Sequence, residues 1–235
     1  MRDIGDGFGE AIRLLLTGDA AIWQIIWLSL RVSLTATLAA LALGIPLGCG
    51  LALARFPGRP LAVGAVNAGM GLPPIVAGLV ISLLFFRNGP FGGLHWLFTP
   101  TAMIVAQAAI ALPIVAGLTY AALSGLDPRY RLLLRSLGAS PAATAWWLLR
   151  EARAPVLAAV IAGFGAVISE VGAAMMVGGN IKGQTRVLTT ATVLEAGRGN
   201  YDVAMALSFV LLGLTYGVVL ALTLLQSRGG AHHDA

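Results

Sequence analysis

Two ionisable side chains, Arg31 and Glu170, stand inside long apolar runs. A charge in such surroundings is costly and marks a functional candidate. Arg31 either snorkels to a polar surface or faces the path of an anion. Glu170 would repel an anion, which favours a structural role: pairing with an arginine or capping exposed backbone donors. Farther along, residues 178–200 combine several glycines with Asn180, Lys182 and Arg186. Irregular backbone and positive potential then fall in one segment. Lys182 and Arg186 suit the reception of a dianion, and they equally suit an ordinary wet loop. Pro73-Pro74 would break a helix and free nearby carbonyls, giving a hinge or a packing kink.

Catalytic sets are harder to assemble. The stretch from Gly178 to Thr185 has glycines and a lysine but lacks the Gly-Lys-Ser/Thr ending that holds nucleotide and magnesium. Hydrolysis of ATP by this chain alone is therefore not expected. His95 lies beside Trp96 and reads as an interfacial anchor. His232 and His233 belong to a polar tail, and Ser169 has no neighbouring base. The lone Cys49 reads as a small packing residue. The expectation is no catalytic, metal or cofactor site on this chain.

The elements that must position these residues follow from the solvent the chain needs. Of 235 residues, 58% are hydrophobic and only 11% charged, and mean hydropathy is +0.87. Soluble domains carry about 25% charged residues, so this chain cannot wet a globule. The predicted class is an all-α, polytopic transmembrane bundle forming one domain over residues 1–235. Thirty glycines agree with close helix packing in lipid. The +5 net charge is scattered between apolar runs, with no basic stripe or interleaved aromatics, which argues against nucleic acid.

Five apolar stretches meet the roughly 20 residues that a span requires. They cover residues 22–54, 61–86, 101–126, 155–177 and 203–225, with an interruption at Leu72-Pro73-Pro74 and with Pro113 inside the third. Splitting the first near Gly44-Ile45-Pro46 would leave two pieces too short to cross. Five spans place Arg55, Arg59, Arg129, Arg131, Arg135, Arg150, Arg153 and Arg228 on one side. Arg2, Arg13, Arg87, Lys182, Arg186 and Arg198 fall on the other. The first group crowds closer to the span ends, so the N-terminus is expected outside and the C-terminus in the cytoplasm. Residues 1–21 are expected to form an outer surface segment, with a short amphipathic helix around Phe8, Ile12 and Leu15. That segment lacks the basic start of a secretory signal.

Residues 127–154 are too long for a turn and too helix-friendly for a linker. Asp127-Pro128 reads as an N-cap with proline at the first helical position. Tyr130, Leu132, Leu133, Leu134 and Leu137 follow, and Gly138 stops them. Ser140-Pro141 starts a second helix through Ala142, Ala145, Trp146 and Leu149. Two short helices hinged at Gly138-Ala139-Ser140 would expose apolar surface to the cytoplasm, as a docking site for a partner does.

Arg135-Ser136-Leu137-Gly138-Ala139-Ser140, with a span start near Pro155, resembles the EAA loop of importer permeases of the ATP-binding-cassette class. Leu132-Leu133-Leu134 replaces the usual acidic and alanine opening, and Arg150-Glu151 stands where Leu-Pro is familiar. Ser29-Leu30-Arg31-Val32-Ser33-Leu34, Leu72-Pro73-Pro74-Ile75-Val76-Ala77-Gly78 and Ile168-Ser169-Glu170-Val171-Gly172-Ala173 are similar to the oxyanion branch, which serves sulfate, molybdate and tungstate. Met175-Met176-Val177-Gly178-Gly179-Asn180-Ile181-Lys182-Gly183-Gln184-Thr185-Arg186 looks most like the tungstate permeases, with molybdate or sulfate as the alternatives.

The resemblance implies a permease of the prokaryotic inner membrane, working by alternating access. Its 127–154 loop would be a coupling helix seated in a groove on a cytoplasmic ATPase, which carries the ATP and magnesium. An external oxyanion-binding protein would deliver substrate, and a second permease copy would complete a homodimer in the lipid. Residues 178–200 would form the outer gate. Arg31, Pro73, Pro74, Glu170, Asn180, Lys182 and Arg186 are the candidates along the substrate path or gate. A secondary anion transporter would show repeated half-sequences and buried ion-coupling residues, and neither is found. An intramembrane enzyme would need a converging catalytic set.

Overall fold

The computed structural model describes Gly9, Arg13 and residues 20–230. The expected helix around Phe8, Ile12 and Leu15 lies outside the described residues, as do His232 and His233. Among the described residues, regular structure is entirely helical. In chain order come α1 (Ala20–Leu53), α2 (Arg59–Met70), α3 (Pro74–Phe85), a 3₁₀ turn (Gly92–Leu94) and α4 (Pro100–Ser124). Then follow α5 (Pro128–Ser136), α6 (Pro141–Glu151), α7 (Arg153–Ile168), α8 (Gly172–Gly178), α9 (Leu188–Gly197) and α10 (Tyr201–Gly230). Helices α1, α4 and α10 are long and apolar enough to cross a membrane alone, and the bent pairs α2–α3 and α6–α7 meet that standard jointly.

Helix α1 runs unbroken through Pro46 for 34 residues, so the first apolar run is a single long rod. The second run is not. It turns by 102° between α2 and α3, because Pro73 and Pro74 cannot donate main-chain hydrogen bonds and the residue before a proline avoids helical angles. No residue of α2 is buried. The expected fourth span also divides, at Ser169-Glu170-Val171, into α7 and the short α8. Two helices, α3 and α8, thus start at breaks in apolar runs, and they pack on each other.

The bundle is centred on α1 against α4. Gly44 and Gly48 lie one turn apart on α1, at the spacing that brings membrane helices together. A β-carbon at Gly48 would sit 2.5 Å from the Ala116 carbonyl oxygen and 2.7 Å from Thr119 Cβ, so only glycine permits this crossing. Around it Met103, Val115, Phe164 and Val167 are fully enclosed. Leu34, Leu38 and Leu43 of α1, Leu79 and Leu83 of α3, and Leu212 and Tyr216 of α10 remain exposed. Such an apolar exterior suits lipid, since lipid tails solvate it as well as a protein core does.

The two ends of the bundle differ in charge. Gln226 near the end of α10 donates to the Ala154 carbonyl at 2.9 Å, and α5 bonds to the last residue of α1. One end therefore gathers Arg55, Arg59, Arg129, Arg131, Arg135, Arg150 and Arg153. This is the distribution that the positive-inside rule assigns to the cytoplasm.

Candidate coupling surface and gate

Helices α5 and α6 are set by local chemistry. The Asp127 carboxylate accepts from the Arg129 N–H at 2.8 Å, with Pro128 at the first helical position. Gly138 then adopts φ +79°. Its N–H donates to the Arg135 carbonyl and the Ala139 N–H to the Leu134 carbonyl, both at 3.0 Å. That pair of bonds is a Schellman termination, which needs a residue at positive φ and so favours glycine. Ser140 opens α6 by accepting from the Ala143 N–H at 3.2 Å.

This hinge presents apolar surface. Leu132, Leu133 and Leu137 of the first arm and Trp146 and Trp147 of the second are exposed. Leu134 and Leu148 turn inward and pack with Cys49 and Leu123. No atom lies within 4 Å of a β-carbon built at Gly138, so the space outside the hinge is open to a partner.

The hinge is also fastened to α1, which sequence reading missed. Arg131 donates to the Leu53 carbonyl. Arg59 donates to Leu51 O at 2.6 Å and Ala52 O at 3.5 Å, and its guanidinium lies 5.7 Å from the Tyr120 ring centroid. Two arginines thus donate to carbonyls at the α1 terminus, for which the helix has no N–H donors of its own. Nothing local signals the Arg131 bond, because its partners are 78 residues apart.

At the opposite end, residues 178–200 fold upon themselves. Asn180 adopts φ +51°. Its amide donates to the Thr190 carbonyl at 3.2 Å, while its Oδ1 and carbonyl accept from Arg186 at 3.2 and 3.3 Å. Thr185 donates to Gly178 O at 2.5 Å and accepts from the Ile181 N–H at 3.0 Å. Arg186 is therefore a half-buried clasp on Asn180, whereas Lys182 is exposed. Near the end of the segment, Glu195 accepts from Asn200 and Arg198. These bonds and the nearby arginines hold its carboxyl below the usual range.

Glu170 closes the break between α7 and α8. It is buried, its Oε1 accepts from the Ala173 N–H at 2.8 Å, and its carbonyl accepts from Thr189 at 2.9 Å. The carboxylate caps the start of α8, and the backbone ties this break to the segment that follows. Ser29, near Arg31 on α1, accepts from the Leu188 N–H at 2.8 Å and donates to Ile25 O at 2.7 Å. Arg31 itself points to the surface of the chain. The structure thus joins Asn180 and Arg186 directly and ties Glu170 to Thr189, the neighbour of Asn180's partner Thr190, while Arg31, Lys182 and Pro73-Pro74 stay outside these bonds. Among the described residues, no group of His, Cys, Asp and Glu gathers that could hold a metal.

Comparison with known proteins adds to this geometry. Residues 44–228 match the family described as binding-protein-dependent transport system inner membrane component. The tungstate uptake system permease protein TupB of Peptoclostridium acidaminophilum is 38% identical over 228 residues, covering 97% of this chain and 100% of that one. TupB of Campylobacter jejuni subsp. jejuni is 33% identical over 213 residues, 91% of this chain and 89% of its own. Among solved structures, the MetNI methionine ABC transporter in inward facing conformations is similar with TM-score 0.74, covering 90% of this chain and 97% of that one. At 21% identity that likeness is one of fold.

Proposed function

The chain belongs to the family of inner-membrane components of binding-protein-dependent transport systems, and on that premise we propose that it carries tungstate inward through a pair of identical permeases. It is the membrane-spanning permease of an ATP-binding-cassette importer, a transport protein and not an enzyme. The tungstate reading is supported by similarity to tungstate permeases over nearly the whole chain. In this reading ATP and magnesium reside on separate cytoplasmic ATPases, and an external binding protein delivers the anion.

The observation that carries the mechanism is the exposed hinge at Gly138, bonded through Arg131 to the end of α1. ATPase closure displaces α5 and α6. Arg131 of α5 hands that displacement to α1, whose last carbonyls Arg59 of α2 also holds. From Leu53 back to Ser29, α1 is about 36 Å of continuous helix, stiff enough to act as one body. Ser29 holds the first residue of α9, so the far end of the rod moves residues 178–200 and opens the outer gate. Lys182 and Arg31 then supply the positive potential that a dianion meets. Hydrolysis resets the rod.

The test is reconstitution of the permease with its ATPase subunits and binding protein in proteoliposomes. ATP-dependent tungstate uptake is expected, resisting excess sulfate better than excess molybdate, since the molybdate and tungstate ions are nearly the same size. Uptake without ATP, or a preference for sulfate, would overturn the reading.

A further inference from the structure

Arg55, Arg59, Arg131 and Arg135 gather at the end of α1. Arg59 and Arg131 donate to its last carbonyls. Burial, and then the charges of Arg135, Arg55 and Arg59, push the Arg131 guanidinium below its usual range. Among the described residues none of the four forms an ion pair. Asp127 lines a neighbouring hollow with Arg59 and Arg131, yet its carboxylate accepts from the Arg129 N–H at the start of α5.

Arg131 and Arg135 also wall a cavity of about 320 Å³ between the end of α1 and the Gly138 hinge. Small-molecule sites begin at roughly 300 Å³, so the space is ample for a compact ion or a headgroup. Cys49, Leu53, Pro141 and Ala145 give it apolar walls, and Thr144 adds a hydroxyl. Like charges held within mutual reach are unfavourable, and an anion between them relieves that cost. A guanidinium carries five donors in a fork that matches phosphate-like oxygens. The bond to Leu53 therefore leaves Arg131 with donors to offer.

We propose that this cavity binds a tetrahedral oxyanion, presented either by the phosphate of an anionic lipid or by a free ion on the arginine-rich side. The bound anion would neutralise Arg131 and Arg135 and brace α5 and α6 against α1. The site is separate from residues 178–200. Its occupancy is read as binding to the full chain, so a failure of the import reading leaves the result intact.

Two arms distinguish the sources. In the first, the full chain is purified in nanodiscs of phosphatidylcholine and phosphatidylglycerol, and retained phosphatidylglycerol is counted by native mass spectrometry. In the second, inorganic phosphate is titrated against the chain in neutral detergent at constant ionic strength. Binding in at least one arm is expected. Loss of roughly tenfold in affinity is expected for Arg131→Gln and for Arg135→Gln, since each removes charge-assisted bonds. Arg129→Gln removes an equal charge from α5 without touching the cavity and should bind normally. Arg135→Gln decides the matter if Arg131→Gln, which loses the bond to Leu53, fails to fold. Absence of binding in both arms overturns the proposal. So does normal binding by Arg135→Gln, or an equal loss in Arg129→Gln.

Discussion

Ser29 of α1 accepts a buried hydrogen bond from the Leu188 main-chain N–H at 2.8 Å, across 159 residues of sequence. Leu188 begins α9, where the first N–H groups of a helix have no partner of their own. The hydroxyl therefore supplies a bond the helix requires, and it fixes the 178–200 segment to the long rod of α1.

Ser29→Ala leaves that N–H buried without an acceptor, at a cost of about 1–3 kcal/mol. If residues 178–200 form the outer gate, uptake by the reconstituted importer should fall severalfold while ATP hydrolysis continues, because that segment is released from α1. Parallel assays of ATPase rate and anion uptake check this. Equal loss of both activities would mean that Ser29 only stabilises the fold.

Sidedness is tested with thiols. Cys49 is buried, so Ser136→Cys and Lys182→Cys place reporters at opposite ends of the bundle on exposed side chains. A membrane-impermeant maleimide added to intact spheroplasts should label Lys182→Cys and spare Ser136→Cys until the membrane is opened. Labelling of both from outside would refute the odd number of crossings between them.

What could be read in advance was what is local. The hinge follows from neighbouring residues: Asp127 and Ser140 as caps, prolines behind them, and Gly138 at a position whose bonds demand positive φ. The break at Ser169-Glu170-Val171 has neither glycine nor proline and passes for the middle of a span. It forms because Glu170 bonds to Ala173 and Thr189, and the Thr189 bond exists only once the chain has folded back. Arg186 was legible as a cation but not as a clasp, since its use depends on the backbone conformation of Asn180. Gly44 and Gly48 carried a readable spacing, but its partner on α4 is a matter of tertiary packing.

Substitutions at Gly138 separate backbone conformation from partner contact. Gly138→Ala meets no steric obstacle within the chain but strains the left-handed backbone by about 1–2 kcal/mol. Gly138→Asn tolerates that conformation better. Both proteins should insert normally. If the ATPase packs closely on the hinge, both should lose ATPase on pull-down, and Gly138→Asp more than either. Full ATPase recovery with Gly138→Asp would remove the hinge from the coupling path.

The two cations of the 178–200 segment, the proposed gate, should behave differently when changed. Arg186 grips Asn180 through its Nε and a terminal nitrogen, and a lysine, whose donors all sit on one nitrogen, does not reproduce that fork. Arg186→Lys keeps the charge and loses the clasp. Lys182→Gln loses a charge from an exposed side chain and leaves the clasp intact. If Arg186 acts through geometry, Arg186→Lys should lower uptake at every salt concentration and raise proteolysis within residues 178–200. If Lys182 acts through potential, Lys182→Gln should lower uptake only at low ionic strength, because an exposed charge is screened within about 8 Å at physiological salt. Uptake measured at low and high salt, with limited proteolysis of the same preparations, tells these apart. A salt-dependent defect in Arg186→Lys with unchanged proteolysis would show that the clasp is not what the gate requires.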